Sequence, residues 1–205
     1  MYKFHNPDFP HTKWDDIVPG IDGAEGWYSD ELYPGKRVIF FLGAWGYRDA
    51  LSCMSATKEE PQWFPGIGIH SGFLRLADRA WDAIKDHLDT HKPIVFAGHS
   101  MGAAIASIIA LRYTLEFCKL PLLELYAMPT IVGDAVFADT MVTVFGVLPN
   151  HTAGMDIVPR IGWLSWLLGY RSYTKNRHYK VESSLPWWER LLADHEPEVY
   201  RRTIP

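Results

Sequence analysis

Pro93-Ile94-Val95-Phe96-Ala97-Gly98-His99-Ser100-Met101-Gly102 is where the chain declares its architecture. A proline opens an apolar run, two glycines bracket a serine, and an Ala/Ile-rich segment carries on to Cys118. The apolar run reads as a strand buried on both faces, as in a parallel sheet. The segment from Ser100 to Cys118 reads as a helix apolar nearly all round, which places it centrally, between the sheet and other elements. Its small residues Gly102, Ala103, Ala104 and Ala106 allow close approach to that sheet.

Working outward, the same alternation repeats. Arg37 to Ala44 (RVIFFLGA) is a continuous apolar run ending in glycine and alanine, a second buried strand. Phe73 to His91 is a helix: Phe73, Ala77, Ala80, Trp81, Ile84 and Leu88 share one stripe, charged residues cover the rest, and Pro93 stops it. Leu122 to Ala127 forms a third strand, Asp134 to Val142 a short helix, and Leu148 to Ala153 a fourth strand. Strands alternating with helices predict an α/β fold, a mostly parallel sheet with helices on both faces. The ligand crevice of such a sheet lies at the strands' carboxyl ends. With no repeat or low-complexity stretch, residues 1–205 read as a single compact domain. Residues 1–35, rich in Pro, Gly, Asp and Trp, are expected to be an irregular arm, and Trp45 to Ile69 a loop.

The chain has 205 residues, 48% hydrophobic and 21% charged, with a net charge of -4, an ordinary globular composition. That charge gives no reason to expect nucleic acid as a partner, and no polybasic run would hold the protein on an anionic membrane. The N-terminus lacks a basic region followed by an apolar stretch, so a cytoplasmic location is expected, with leaderless release the alternative. Only Cys53 and Cys118 occur, so neither a disulfide framework nor a thiolate metal site is indicated. No cofactor is expected. Nine tryptophans crowd this short chain; most are expected in the core, although Trp also populates surfaces that meet lipid.

The pentapeptide Gly98-His99-Ser100-Met101-Gly102 fits G-x-S-x-G. Alone it means little, since roughly one chain in ten or twenty of this length would carry it by chance. Its context is specific: it must follow a strand and open a helix, because a strained turn there lifts the serine oxygen clear of the sheet. Both conditions hold, which makes Ser100 the candidate nucleophile and the fold an α/β-hydrolase fold. A serine hydroxyl needs a histidine to take its proton and a carboxylate to orient that histidine. In this fold the order is Ser, acid, His. Of nine histidines only His151, His178 and His195 follow Ser100. Asp156, in a loop directly after the fourth strand, leads among the acids, because Asp134 and Asp139 belong to a helix opening and its exposed face. His151 precedes it, leaving His178 and His195.

The chain resembles the class 3 lipases, the group of the fungal triacylglycerol lipases. The likeness runs from about Arg37 to the C-terminus, through Phe41-Leu42-Gly43-Ala44, His70-Ser71-Gly72-Phe73 and the serine pentapeptide. It continues through Tyr126-Ala127-Met128-Pro129 with Val132-Gly133, then Asp156-Ile157-Val158-Pro159-Arg160, and closes with His195 ahead of Val199-Tyr200. The resemblance implies Ser100, Asp156 and His195 as triad, and decides for His195; His178 then reads as a surface or packing histidine in a late hairpin. It also implies an oxyanion hole from the backbone N–H groups of Met101 and Ala44. The family carries Ser or Thr where this chain has Ala44, so the added hydroxyl donor is missing. Losing one such donor can cost about a hundredfold in rate.

The expected function is hydrolysis of lipid or other apolar acyl esters through an acyl-enzyme on Ser100. Two segments could form an apolar rim or lid that meets a lipid interface transiently: Glu59 to Ile67, where the family carries its lid, and Ile161 to Tyr170. Packing of either into the core is the equal alternative. An acyltransferase or thioesterase would use the same triad. A catalytically weak hydrolase fold acting as a binding module is a rival of another class, and metal-dependent hydrolysis is the least favoured.

Overall fold

The computed structural model describes residues 16–18, 26–29, 35–41, 57–88, 91–160 and 165–204. Strands β1 (Asp16–Val18), β2 (Gly26–Ser29) and β3 (Arg37–Phe41) form a ribbon of antiparallel neighbours. Short β4 (Lys58–Glu59) and β5 (Ile69–His70) pair separately, and α1 (Ser71–Ile84) follows. Then come β6 (Ile94–His99), α2 (Met101–Phe117), β7 (Leu122–Tyr126), α3 (Ala135–Phe145), β8 (Leu148–Ala153), β9 (Thr174–Tyr179), α4 (Trp187–Ala193) and α5 (Pro197–Thr203).

The seven-stranded sheet runs β1-β2-β3-β6-β7-β8-β9, and from β3 to β9 every neighbour is parallel. Right-handed crossovers that always step to the next position leave their helices on one face. Accordingly Ile39, Phe41, Ile94 and Phe96 point into one core with buried residues of α1, α2 and α3. The alternate residues Val38, Val95 and Ala97 point the other way. On that side Tyr126 and Ala153 pack with Val199, Tyr200 and Ile204, the last two turns of the chain. Helix α2 is buried from Met101 to Leu111, as its lack of a polar face requires. This is a mostly parallel sheet with helices on both faces, the α/β-hydrolase fold.

Several expectations are corrected. The arm before residue 35 is not irregular throughout: β1 and β2 extend the sheet edge. The first helix ends at Ile84, not His91. A 3₁₀ turn, Lys85–His87, follows it and still delivers Leu88 to the core. His178 lies in no hairpin, because β9 is parallel to β8, reached by the long connection between them. Tryptophan is less buried than expected: among the described side chains Trp81 is in the core and Trp63 half-buried. Trp166, Trp187 and Trp188 are exposed at 67%, 61% and 58%. Trp187 and Trp188 lie on α4, none of whose residues is buried, and Trp166 on a single 3₁₀ turn. Among the described residues no helix is long and apolar enough to cross a membrane.

Candidate active site

Ser100 stands at the junction of β6 and α2 with φ 57° and ψ -127°, a conformation rarely adopted by a residue with a side chain. Its N–H donates to Tyr126 O at 2.9 Å, and Ala103 N–H donates to Ser100 O at 3.0 Å, so both sides of the strained turn are pinned. Gly98 makes the turn possible. A Cβ there would lie 2.3 Å from the Gly102 carbonyl oxygen and 2.6 Å from Ala103 N, both backbone atoms that cannot swing aside. Met101 opens α2, so its N–H has no acceptor within the helix and is a ready donor beside the serine.

At the end of β8 the chain turns through Gly154, at φ 49°, and Asp156 N–H donates to Ala153 O at 3.1 Å. The turn drops the Asp156 side chain inward, where it is 2% exposed. One carboxylate oxygen accepts from Val158 N–H at 2.8 Å. The other accepts from the Tyr200 hydroxyl, which itself accepts from Ala153 N–H at 3.2 Å. His195 arrives from the opposite side, in the turn between α4 and α5, its N–H bonded to Leu192 O at 3.0 Å. Pro197 at the first position of α5 suits that sharp restart.

The three side chains meet. His195 Nε2 is 2.9 Å from Ser100 Oγ, and Nδ1 is 2.9 and 3.0 Å from the two Asp156 oxygens. The acid is buried, Ser100 is buried too, and the imidazole between them is the most exposed member of the relay. Such an arrangement can take a hydroxyl proton onto Nε2 while the carboxylate fixes the tautomer and steadies the imidazolium.

Around this relay Tyr200 and Asp194 carry no site assignment from sequence, and His99, read from sequence only as part of the nucleophile elbow, has a second contact. Tyr200 sits fully buried among charged neighbours in α5. Burial and then the Asp156 charge raise its pKa far above the usual phenol value, so its hydroxyl remains a donor. His99 packs its ring 4.8 Å from that of His195 and edge-on to Tyr200 at 5.0 Å. Burial first, then repulsion from His195, holds His99 well below its ordinary pKa, against the opposing effect of a hydrogen bond to the His195 backbone. His99 is thus a neutral wall behind the imidazole. Asp194, beside His195 in sequence, is buried and bonded to Arg190 and Met155 N–H. A lone tyrosine in a charged C-terminal helix, and an Arg and Asp four apart, were the available signals.

His178 is exposed on β9, Nδ1 3.4 Å from Thr152 Oγ1. Ala44 and residues 161–164 lie outside the described residues. Of the two rim segments, Glu59 to Ile67 packs down: Pro61 and Ile67 are buried, Trp63 and Phe64 lie against the core, and Trp63 Nε1–H donates to Asp78 at 3.3 Å. The described part of the other leaves Trp166, Leu167 and Leu168 exposed. Asp134 caps α3, accepting from Phe137 N–H at 2.8 Å.

A parallel sheet with a strained serine at a strand-to-helix turn, relayed through histidine to a buried aspartate, defines the α/β-hydrolase class. The profile of one family, Lipase (class 3), matches residues 38–165. The chain belongs to that family, and is a carboxylic ester hydrolase. No curated protein matches it by sequence. Among solved structures it resembles a lipase from Rhizopus microsporus var. chinensis. That pair is 19% identical, covering 90% of this chain and 71% of the other, with a TM-score of 0.67. It also resembles the Rhizomucor miehei triacylglyceride lipase: 17% identity, 94% and 87% coverage, TM-score 0.68. A third similar structure is described as a triacylglycerol lipase with a serine protease triad at its catalytic centre: 19% identity, 89% and 76% coverage, TM-score 0.65. At these identities the likeness speaks for the fold alone.

Proposed function

We propose that the protein hydrolyses carboxylic esters of apolar, lipid-type acyl groups through an acyl-enzyme on Ser100. His195 Nε2 takes the Ser100 proton as Oγ bonds to the ester carbonyl carbon. The imidazolium returns that proton to the departing alcohol oxygen as the ester C–O bond breaks. Water then attacks the acyl-serine: His195 takes one proton from it, the Ser100 ester bond breaks, and the proton passes to Ser100 Oγ. Asp156 holds Nδ1–H throughout. The Met101 N–H, aided by the backbone of Ala44, takes the oxyanion.

The observation that carries this reading is the continuous Ser100–His195–Asp156 relay, with both hydrogen-bonded steps near 2.9 Å. Exposed Trp166, Leu167 and Leu168 in the segment after the Asp156 loop favour an apolar substrate over a polar one. The described lipase relatives point the same way. The test is p-nitrophenyl ester hydrolysis across acyl lengths, with Ser100→Ala as control. Wild type should prefer longer acyl chains and lose its activity in Ser100→Ala. Equal rates in the two proteins would remove the enzyme mechanism, and a preference for acetate would remove the lipid substrate.

A further inference from the structure

The two partners of the serine come from distant parts of the chain, and one buried carboxylate ties their immediate neighbours together. Asp194 Oδ2 accepts from Met155 N–H at 2.7 Å, from Arg190 Nε at 3.1 Å and from Arg190 Nη2 at 2.9 Å. Arg190 Nη2 also donates to Val181 O at 3.0 Å, and Arg160 donates to Gly154 O at 3.3 Å. Asp194 precedes His195, and Met155 precedes Asp156. Each bond on Oδ2 therefore acts one residue away from a member of the relay. The space is filled to its limit: a Cβ on Gly154 would come 2.1 Å from Asp194 Oδ2. A second strut, Ile157 N–H to Leu191 O at 3.1 Å, joins the same two segments on the far side of Asp156.

We propose that Asp194, held by Arg190, is a positioning residue that sets the distance between His195 and Asp156 and hence the tautomer and aim of the imidazole. This rests on the proposed role of the relay. A buried ion pair adds little net stability compared with apolar packing, so stability alone does not account for a carboxylate here. Its distinctive effect is register: the two Arg190 donors fix the carboxylate within its own segment, and the Met155 N–H ties that fixed oxygen to the Asp156 loop. Errors of about 1 Å in such constellations cost on the order of a hundredfold in rate.

The test compares wild type with Asp194→Ala and Asp194→Asn. Asparagine can put its carbonyl oxygen at the Oδ2 position and keep all three bonds, losing only the charge. Two readouts are taken: kcat and KM on a p-nitrophenyl ester, and the far-downfield proton resonance of the His195 Nδ1–H shared with Asp156. Asp194→Ala should lower kcat about a hundredfold with KM within about twofold, and broaden or abolish the resonance. Asp194→Asn should restore both to near wild type. A folded Asp194→Ala with unchanged kcat and an intact resonance overturns the proposal, as does an Asn variant no better than Ala. Should Asp194→Ala fail to fold, Arg190→Met, which leaves Met155 N–H on Asp194, must show an intermediate loss in both readouts or the proposal falls. If the wild type has no Ser100-dependent turnover, the enzymatic reading fails while the resonance still decides the clamp. A wild type lacking the resonance overturns both.

Discussion

Replacing Tyr200 by Phe removes one oxygen atom from beneath the relay and leaves the ring in place. The structure gives that oxygen two bonds, one donated to Asp156 and one accepted from Ala153 N–H at 3.2 Å. A hydrogen bond to a charged group contributes about 1.5–3 kcal/mol, and a buried N–H left without an acceptor costs about 1–3 kcal/mol. The two share one atom and are not independent, so a loss of about 3 kcal/mol is expected, or a fall in Tm of about 6–12 °C for a chain this size. The rate should suffer less. Asp156 keeps Val158 N–H and both contacts to His195 Nδ1, so kcat should drop by no more than about tenfold. Asp156→Asn, which reverses the tautomer, should cost about ten-thousandfold. Urea unfolding and steady-state kinetics on both variants read these quantities. Unchanged stability in Tyr200→Phe would refute the buried bond pair. A kcat loss as large as that of Asp156→Asn would refute the claim that the remaining contacts hold the carboxylate.

Gly98→Ala should abolish turnover, because its Cβ would press on the Gly102 carbonyl and force the Ser100 turn open. Wild-type turnover would show that the turn can relax. Burial and then Arg177 lower the pKa of His151 from 6.5 to about 4, so the unfolded chain binds a proton that the folded chain resists. Stability is full above pH 6.5 and falls as pH drops toward 4, by on the order of 3 kcal/mol from this group. His70 and His99, also lowered by burial, act in the same direction, while Glu124, raised by burial, opposes them. His151→Phe should therefore flatten the acid limb in urea titrations between pH 7 and 4.5, and an unchanged slope would exclude His151 as its source. Ala44→Ser should raise kcat without altering KM if that position serves the oxyanion; no change in turnover would count against the assignment.

The parts of the fold with strong periodicity were legible. Arg37–Phe41, the stripe of α1 and the all-apolar α2 follow from burial alone, since no other arrangement hides those side chains. Ser100 was legible from its place between a strand and a helix, and Asp156 from its loop after the fourth strand, but the choice of His195 over His178 came only from the family resemblance. What escaped was fixed by neighbours distant in sequence. Strands β1 and β2 are three and four residues long, too short for alternation to show, and exist because β3 offers them an edge. Strand β9 is polar on both faces (TKNRHY) because it is the last strand, and nothing in its composition distinguishes a parallel partner from a hairpin. The roles of Tyr200 and Asp194 depend on where α4 and α5 dock, which their own sequences do not encode.

The whole mechanism depends on Ser100 Oγ being made nucleophilic by His195. The most direct measurement is treatment with an alkyl fluorophosphonate followed by peptide mass spectrometry, repeated on His195→Ala. A single phosphonyl adduct on Ser100, absent or far slower in the His195 variant, is the predicted result. Labelling elsewhere, or at Ser100 with the same rate in both proteins, would contradict it.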